Sequence, residues 1–344
     1  MKEPLKKKIL FIIDFICDRY WRLGHLFKTD FDRTEKIRQY ISKIPLLGTI
    51  LTKLKFNLAV DKKIVSVKLK GGIGNQLFQL AAVLGYGWEH SISPVFKKIK
   101  RSPSRVDTRP VYWDSCFRKL PLIKQRPYNL FIYQQKQRGF HIIPKPNEVC
   151  NLANYSGILF NGHFASDKYF DKFRDKLLPI LYYIEPSEKE YLTKKYPEIY
   201  NREIVTISLH IRRGDNITHP KKSAQPPLWE SDYYSKSIAY FGEKFGINNI
   251  KVVIFSFDLE FVRNYFKKEF PLLDMVFPKE KDYIELYLMS CCDHNIIANS
   301  TFSWWGAYLN QNPNKIVIAP KDWFYISIHH KNWEYRYMNG WLKF

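Results

Sequence analysis

The stretch that decides the fold is residues 204–215, which read Ile-Val-Thr-Ile-Ser-Leu-His-Ile-Arg-Arg-Gly-Asp. Its first half is dominated by β-branched and apolar residues and predicts a buried strand over residues 204–209. Polar and charged side chains follow at once, from His210 to Asp215. In open parallel sheets, ligands bind beyond the carboxyl ends of the strands. We therefore expect a ligand site at residues 210–215.

Strands and helices alternate on both sides of this stretch. Before it, we predict strands at residues 63–69 and 157–161, and helices at about 76–88, 165–178 and 187–196. After it, we predict strands at residues 251–257, 295–298 and 315–319, and helices at 231–245, 259–269, 282–291 and 302–310. This alternation is typical of parallel sheets with helices on both faces. The two series predict an α/β fold of two Rossmann-like domains, residues 61–200 and 201–344, that face each other across a cleft.

The chain is strongly basic, with a net charge of +22 over 344 residues. Such a balance favours nucleic acid, an anionic membrane or a phosphate-bearing substrate as partner. The sequence contains neither a paired Cys/His finger nor an aromatic RNA-binding signature, and its basic residues are spread along the whole chain. These observations argue against nucleic acid. Because hydrophobic residues make up 45% of the chain, a disordered protein is excluded.

The cysteine pattern bears on the compartment. The five cysteines are Cys17, Cys116, Cys150, Cys291 and Cys292, and no Cys-x-x-Cys pair occurs. An odd number without such a pair predicts neither a disulfide framework nor a zinc site. A reducing, cytoplasmic location fits this pattern best.

Residues 1–60 form a basic N-terminal extension, with 13 Lys and Arg against six Asp and Glu. Its apolar run from Ile9 to Cys17 is interrupted by Asp14 and is too short to span a bilayer. No small-residue cleavage site follows it. Two interpretations stay open: a segment that lies peripherally on the anionic inner face of a membrane, and a helical extension that packs on the main body.

Three clusters at predicted strand ends carry the chemistry. The first holds Arg212 and Arg213. Their guanidinium groups are permanently charged and present several N–H donors in a fixed geometry that suits phosphate. The neighbouring Asp215 can hold one guanidinium in place or accept a proton. A surface ion-pair turn is the alternative, but the strand in front and His210 favour a functional cluster.

The second cluster, Lys70-Gly-Gly-Ile-Gly-Asn-Gln76, joins the first strand to the first helix. Glycines let the backbone approach a ligand closely, and a helix N-terminus favours an anion. The segment lacks the full dinucleotide fingerprint and the Lys-Ser/Thr pair of a phosphate-binding loop. A plain tight turn explains it equally well.

The third cluster is Asn299-Ser-Thr-Phe-Ser-Trp-Trp305, at the start of a predicted helix. One Ser or Thr is enough to cap a helix, whereas this cluster offers three hydroxyls and an amide. The surplus favours a diphosphate site. We interpret Trp304 and Trp305 as packing residues.

Together the clusters resemble the motifs of the α-1,2-fucosyltransferases of glycosyltransferase family 11. The family's Gly-Gly-Leu-Gly-Asn-Gln-Met-Phe-Gln motif is matched from Gly71 to Gln79, with Ile73 and Leu77 substituted. Its His-x-Arg-Arg-Gly-Asp-Tyr motif is matched from His210 to Asp215, with Asn216 in place of the Tyr, and its Asn-Ser-Thr-Phe-Ser-Trp-Trp motif is matched in full. The resemblance covers roughly residues 63–325.

Two weaker blocks depart from the family's pattern. The block from Asn161 to Phe170 has His163 where an aromatic residue is usual. The usual Ser-Asp-Asp appears as Ser256-Phe257-Asp258.

The resemblance implies a GT-B fold, a GDP-β-L-fucose donor, a galactose-terminated glycan acceptor, an α-1,2 linkage and inversion at the anomeric carbon. It also implies that no metal and no cofactor is needed. Metal-dependent sugar transferases often use an Asp-x-Asp pair, and the only one here, Asp30-Phe31-Asp32, lies in the extension and is interpreted as chance. The acceptor is either soluble or lipid-linked, and any membrane contact is expected through residues 1–60.

Residue roles follow from the same resemblance. Arg212 would neutralise the leaving GDP, with Arg213 either sharing this task or locked by Asp215. The base for the acceptor hydroxyl is open among Asp215, His210 and His163, and His163 is placed on the acceptor side. The remaining residues assigned to the donor are Gly72, Gly74, Asn75, Gln76, Ser256, Asp258, Asn299, Ser300, Thr301, Phe302 and Ser303.

Two alternatives stay open. The α-1,6- and protein O-fucosyltransferases use a related arginine motif, although the complete Asn-Ser-Thr-Phe-Ser-Trp-Trp block favours the α-1,2 branch. A basic membrane- or nucleic-acid-binding protein on an inactive transferase fold predicts damaged phosphate clusters, and here the clusters are intact.

Overall fold

The computed structural model describes residues 63–344 except for 105–106, 124–128, 137–138, 202, 214–224 and 325–332. The predicted N-terminal extension, the Asp30-x-Asp32 pair and Asp215 therefore lie outside the described residues. Within the described part, no helix has the length and apolar character needed to span a membrane.

The strands have between two and seven residues each. In chain order they are β1 (Ile64–Val67), β2 (Ser93–Pro94), β3 (Phe96–Lys97), β4 (Arg101–Pro103), β5 (Thr108–Pro110), β6 (Leu122–Ile123), β7 (Leu130–Gln134), β8 (Gly157–Asn161), β9 (Val205–Ile211), β10 (Ile250–Ser256), β11 (Asp274–Val276), β12 (His294–Ile296), β13 (Val317–Ala319) and β14 (Leu342–Lys343).

The helices fill the connections between these strands. They are α1 (Ile73–Glu89), α2 (Pro146–Val149), α3 (Arg174–Leu181), α4 (Pro186–Lys195), α5 (Pro197–Tyr200), α6 (Tyr233–Phe245), α7 (Leu259–Glu269), α8 (Asp282–Cys291) and α9 (Thr301–Leu309).

Two parallel sheets organise the described chain. The first has four strands in the order β2-β1-β8-β7, and the second has six in the order β11-β10-β9-β12-β13-β14. Every pairing within these two sheets is parallel. Strand β9 contains the predicted strand 204–209 and lies inside the six-stranded sheet, between β10 and β12. The predicted α/β class with parallel sheets is confirmed.

The six-stranded sheet is buried on both faces. In β10, Val252 and Ile254 belong to one core with residues of α6 and α7, whereas Val253 and Phe255 belong to a second core. Parallel strands covered on both faces need near-continuous apolar runs, which explains why Ile250–Ser256 lacks alternation.

The second core is shared between the two sheets. It contains Val65 of β1 and Leu77 of α1, together with Leu286 of α8 and Trp304 of α9. Helices that follow residue 201 in the chain thus pack against elements that precede it. The boundary at residues 200 and 201 remains a prediction.

Aromatic side chains join α1 to α9 in this shared core. The ring centroid of Phe78 lies 4.5 Å from that of Trp304 and 5.1 Å from that of Trp305. Both tryptophans are buried, which confirms their interpretation as packing residues. Large aromatic surfaces of this kind dominate core energetics.

Two cations hold the C-terminal end of α9. Arg174 donates a hydrogen bond to the carbonyl of Tyr308 at 2.6 Å and lies over the Tyr308 ring. Lys315 donates to the carbonyls of Ala307, at 2.8 Å, and Asn310. Positive charge is favourable at a helix C-terminus. Burial lowers the pKa of Lys315 to about 8.

The structure differs from the sequence prediction in places that have a physical reason. Helix α1 starts at Ile73 rather than near residue 76, because Gly72 is extended and Gly74 is already helical. Strand β13 starts at Val317 rather than at Lys315, whose side chain caps α9. The strands between residues 93 and 123 have two or three residues each, too few to show a periodicity.

Candidate active site

The candidate site lies where adjacent strands of the six-stranded sheet end. Strand β9 leads into Arg212, β10 leads into Phe257, and β12 is followed by Asn299 and the start of α9. Ser256 pairs with Ile211 across β10 and β9, so the residues that follow both strands are neighbours at one edge. The structure thereby brings two of the predicted clusters together.

Arg212 is held against the loop that precedes α9. Its Nη1 donates to the backbone carbonyl of Asn299 at 3.2 Å. The same carbonyl accepts from Gln225 Nε2 at 2.6 Å, while the Asn299 amide donates to the carbonyl of Pro226 at 2.8 Å. Asn299 is buried, with 1% of its surface exposed. It therefore positions Arg212 through its backbone, and its side chain fixes the loop.

Arg213 occupies a different environment from its neighbour. Its Nε donates to Asp258 Oδ2 at 3.1 Å, and only 13% of its side chain is exposed. The guanidinium carbon lies 3.3 Å from the ring centroid of Phe261 and 5.1 Å from that of Trp229. A guanidinium that is paired and stacked in this way is fixed in position. The locking partner in the structure is Asp258, and Asp215 lies outside the described residues.

His210 is buried beneath the site. Its Nδ1 lies 3.0 Å from Ser303 Oγ, and that hydroxyl oxygen accepts the backbone N–H of Ala298 at 3.1 Å. Burial, with a smaller effect of the Arg212 charge, lowers the pKa of His210 to about 3. A neutral imidazole with so low a pKa is a poor proton acceptor at neutral pH. The structure thus argues against His210 as the base and gives it and Ser303 a supporting role behind α9.

The N-terminus of α9 faces the glycine-rich segment. Ser300 caps the helix by accepting the N–H of Phe302 at 3.2 Å. Thr301 Oγ1 donates to Asn75 Oδ1 at 3.1 Å, so the second and third predicted clusters are in direct contact. Helix N-termini carry partial positive charge and bind anions. This end of α9 and Arg212 present positive charge at the same strand edge.

The glycine-rich residues differ in what they do. Gly72 has open space where a Cβ atom would stand, with no atom within 4 Å. A Cβ atom on Gly74, by contrast, would lie 2.5 Å from the backbone carbonyl of Thr301. Gly74 therefore serves the close approach of two helices, and Gly72 is the position that can admit a ligand.

Gln76 has a structural role in the turn, and its assignment to the donor stays a prediction. Its side chain is fully buried. Its Nε2 donates to the carbonyls of Gly71 and Pro110 and to Ser102 Oγ, at 2.9 to 3.0 Å. The amide group therefore fixes the turn, in which Gly71 has a φ of +81° that favours glycine.

Ser256 and Asp258 build the turn after β10. Ser256 Oγ accepts the N–H of Asp258 at 3.2 Å, and Asp258 Oδ1 caps α7 by accepting the N–H of Phe261 at 3.4 Å. Ser256 is 5% exposed. Both residues shape the strand end, and Asp258 also orients Arg213.

His163 lies at the corresponding edge of the four-stranded sheet, two residues after β8. It is exposed, and its backbone N–H donates to Gln135 Oε1 at 2.7 Å. Because β8 neighbours β1, His163 shares this edge with the glycine-rich segment.

A polar aromatic group that the sequence did not indicate lies around Phe164, the residue after His163. His141 Nε2 lies 3.2 Å from the Tyr133 hydroxyl, and its Nδ1 lies 3.2 Å from the Tyr169 hydroxyl. Burial lowers the pKa of His141 and raises that of Tyr169 to about 12. Tyr133 and His141 come from a region without a sequence pattern, and Tyr169 lies in the weaker block from Asn161 to Phe170, where nothing in the motif indicated this contact.

Across the residues that the structure describes, no group of three His, Cys, Asp or Glu side chains is placed to hold a metal ion.

This geometry, a parallel sheet with paired arginines and a helix N-terminus at its edge, is accompanied by similarity to known proteins. Residues 47–344 match the sequence profile of glycosyl transferase family 11. The chain belongs to this family and is a glycosyltransferase, which confirms the resemblance drawn from its motifs.

Two relatives come from Escherichia coli. The O-antigen biosynthesis glycosyltransferase WbnK is 32% identical, over 74% of this chain and 93% of WbnK. An α-1,2-colitosyltransferase is 28% identical, over 76% of this chain and 92% of the relative.

A solved structure supports the fold. The structure of a mutant of Arabidopsis thaliana FUT1 in complex with GDP is similar with a TM-score of 0.50 at 13% identity, covering 84% of this chain and 77% of that chain. At this identity the likeness concerns the fold alone. The fold is GT-B, as predicted.

Proposed function

We propose that this glycosyltransferase transfers L-fucose from GDP-β-L-fucose to the 2-hydroxyl of a galactose-terminated glycan, with inversion and without a metal ion. The observation that carries the proposal is the placement of Arg212. It follows β9, is held on the Asn299 carbonyl at 3.2 Å, and lies beside the N-terminus of α9. This arrangement suits a nucleoside diphosphate.

The chemistry explains why a fixed cation matters. When the bond between fucose and phosphate breaks, positive charge builds on the sugar and negative charge on the leaving GDP. Arg212 and the first-turn N–H groups of α9 would stabilise the diphosphate without rearrangement. A preorganised donor of this kind typically contributes about 2.7–4 kcal/mol to a transition state. Metal independence belongs to the proposal because these groups supply the required charge.

Inversion in a single displacement needs a base for the acceptor hydroxyl. With a pKa of about 3 and its Nδ1 against Ser303, His210 is poorly suited. Asp215 and His163 remain as candidates, the first from its motif and the second from its exposed position on the edge of the four-stranded sheet.

The pH dependence of the rate distinguishes the two remaining bases. An acidic limb of the rate profile that disappears in His163→Asn would assign the base to His163. A limb that persists in His163→Asn, together with a folded but inactive Asp215→Asn, would assign it to Asp215.

GDP-colitose should be tested as a second donor, because one relative is a colitosyltransferase. Colitose is L-fucose without its 3-hydroxyl group, so GDP-colitose differs from GDP-fucose by one oxygen atom. The α-1,2 linkage in the name of this relative also favours that linkage over the α-1,6 and protein O-linked alternatives. The role of WbnK in O-antigen biosynthesis favours a glycan acceptor, soluble or lipid-linked.

The decisive experiment is a donor panel with the full-length protein and a soluble β-galactoside. GDP-fucose, GDP-colitose, GDP-mannose and UDP-galactose are compared with and without EDTA, and the product linkage is determined by NMR. We expect an α-1,2-fucosylated product at the same rate in EDTA. Transfer from a different sugar nucleotide would contradict the donor assignment. Activity that EDTA abolishes and Mg²⁺ or Mn²⁺ restores would contradict the metal-free mechanism.

A further inference from the structure

Phe257 is an exposed aromatic side chain at the edge of the candidate site. It stands between Ser256 and Asp258, and 89% of its surface is exposed. The turn that carries it is fixed, since Ser256 Oγ accepts the N–H of Asp258 and Asp258 pairs with Arg213. Single exposed apolar side chains are common on protein surfaces, so the position of Phe257, rather than its exposure alone, is informative.

The position of Phe257 sets it apart from the other exposed apolar residues. Six large hydrophobic side chains are exposed in the described part of the chain, the others being Ile132, Ile142, Tyr191, Ile247 and Leu272. Ile247 and Leu272 precede β10 and β11 and lie at the opposite edge of the six-stranded sheet. Phe257 alone among the six lies at the carboxyl edge of that sheet, where a ligand is expected.

The strand order fixes what lies on each side of the arginines. Because Ser256 pairs with Ile211 and neighbouring strands are about 4.8 Å apart, Phe257 lies next to Arg212. Strand β12 and the N-terminus of α9 lie on the other side of β9. The sequence of groups along the edge is therefore Phe257, Arg212 and then the start of α9.

The direction of a bound nucleotide sugar follows from this order. The start of α9 touches the glycine-rich segment through Thr301 and Asn75, and this side leads to the four-stranded sheet and His163. The reacting sugar must point towards the four-stranded sheet, because the acceptor is expected on that side. A nucleotide sugar carries its sugar and its nucleoside at opposite ends of the diphosphate, so the nucleoside extends towards Phe257.

We infer that Phe257 stacks on the purine base of the nucleotide donor. The inference rests on the proposed function, because it requires a nucleoside diphosphate at Arg212. Every nucleobase offers a π-face to an aromatic ring. Stacking on Phe257 would strengthen binding without reading the identity of the base.

The test measures dissociation constants of the full-length protein for GDP and for inorganic pyrophosphate by calorimetry. Three variants are compared with the wild type: Phe257→Ala, Phe257→Trp and, as matched control at the opposite edge, Leu272→Ala. Since loss of one base–aromatic stack typically weakens binding about 5- to 150-fold, we expect that loss for GDP in Phe257→Ala. Pyrophosphate affinity should be unchanged. Phe257→Trp keeps an aromatic face and should retain most of the GDP affinity, and Leu272→Ala should behave as the wild type.

The outcomes separate this inference from the proposed function. Wild-type GDP binding with an unchanged Kd in Phe257→Ala would overturn the stacking role alone. An equal loss for GDP and pyrophosphate would also overturn it, because the damage would then lie in the strand end. If the wild-type protein bound pyrophosphate and GDP equally well, a contact with the base would be contradicted. If it bound neither, both the stacking role of Phe257 and the proposed nucleotide-sugar donor would be overturned.

Discussion

Gly74 and Thr301 meet with backbone against backbone: a Cβ atom on Gly74 would lie 2.5 Å from both the carbonyl carbon and the carbonyl oxygen of Thr301. The residues come from helices α1 and α9, which belong to different predicted domains. The neighbouring contact from Thr301 Oγ1 to Asn75 Oδ1 lies at the same place. The absence of a side chain at residue 74 thus sets the distance between the glycine-rich segment and the positive end of α9.

We predict that Gly74→Ala destabilises the protein. The added methyl group meets backbone atoms that cannot turn away, and overpacking of this kind costs about 1–3 kcal/mol. Chemical denaturation measures the change. The matched control is Gly242→Ala in α6, where the nearest atom is the mobile end of Ile247 at 3.3 Å. Replacing an interior helix glycine by alanine is worth about 0.5–1 kcal/mol, so this variant should be neutral or slightly stabilised. Equal effects at both positions would refute the close contact.

Arg212→Ala should abolish transfer while leaving the fold intact. Loss of one preorganised charge donor typically lowers kcat by about 100- to 1000-fold. Arg212→Lys should also fail substantially, because a point charge does not replace a planar fork with several donors. Steady-state kinetics with GDP-fucose measure both variants, and circular dichroism checks the fold. The control is Arg263→Ala, an exposed arginine on α7. Near-normal turnover in folded Arg212→Ala would remove this residue from the mechanism.

His210 makes the stability of the fold dependent on pH. Burial holds its folded pKa at about 3, below the value of about 6.5 in an unfolded chain. Below pH 6.5 the unfolded state therefore binds a proton that the folded state does not, and stability is lost as the pH falls. Between pH 6.5 and 5 this amounts to about 2 kcal/mol.

Glu285 acts in the opposite direction and determines how the measurement is designed. Burial raises its pKa to about 7, so the folded state binds a proton that the unfolded carboxylate does not, and stability rises as the pH falls from 7. The useful quantity is therefore the difference between the wild type and His210→Asn, whose amide can still face Ser303. From pH 6.5 to 5 the variant should lose about 2 kcal/mol less stability than the wild type. Identical pH slopes would show that His210 is not buried as a neutral ring.

The basic extension provides a prediction that is independent of the site. Residues 1–46 precede the family match and carry 11 Lys and Arg residues. Each basic residue near an anionic surface contributes roughly 1 kcal/mol. Deleting residues 1–46 should therefore lower salt-sensitive binding to anionic liposomes and spare transfer to a soluble galactoside. A truncated protein that is insoluble or inactive on the soluble acceptor would mean that the segment packs on the catalytic body.

The fold was predictable wherever an element was long enough to show a period. Helices 259–269 and 282–291 begin and end in the structure at the predicted residues. Strands of two residues, such as β2 and β14, have no detectable pattern of their own and form because a neighbouring strand pairs with them. The core shared by α1, α8 and α9 could not be predicted from the sequence either, since it depends on contacts between segments about 200 residues apart.

The location of the candidate site was predictable from the sequence, but the roles of its individual residues were less so. Strand ends and motif order placed Arg212, Ser300 and Thr301 at one edge. Whether a motif residue faces a ligand or the protein depends on burial, which the motif does not encode. Gln76 and His210 are both buried and hydrogen-bonded to the protein, whereas Phe257, a departure from the family's pattern, is exposed.

The double attachment of α9 limits how this enzyme can be recombined with its relatives. The helix carries the hydroxyls assigned to the donor, yet Gly74 and Asn75 hold its first turn and Arg174 holds its last. A chimera joined near residue 200 would press a foreign α9 against this chain's α1, with mismatched surfaces at the Phe78 and Trp304 contact. To exchange donor specificity between family members, residues 73–89 and residues 301–309 therefore have to be replaced together, although the two segments are far apart in the gene.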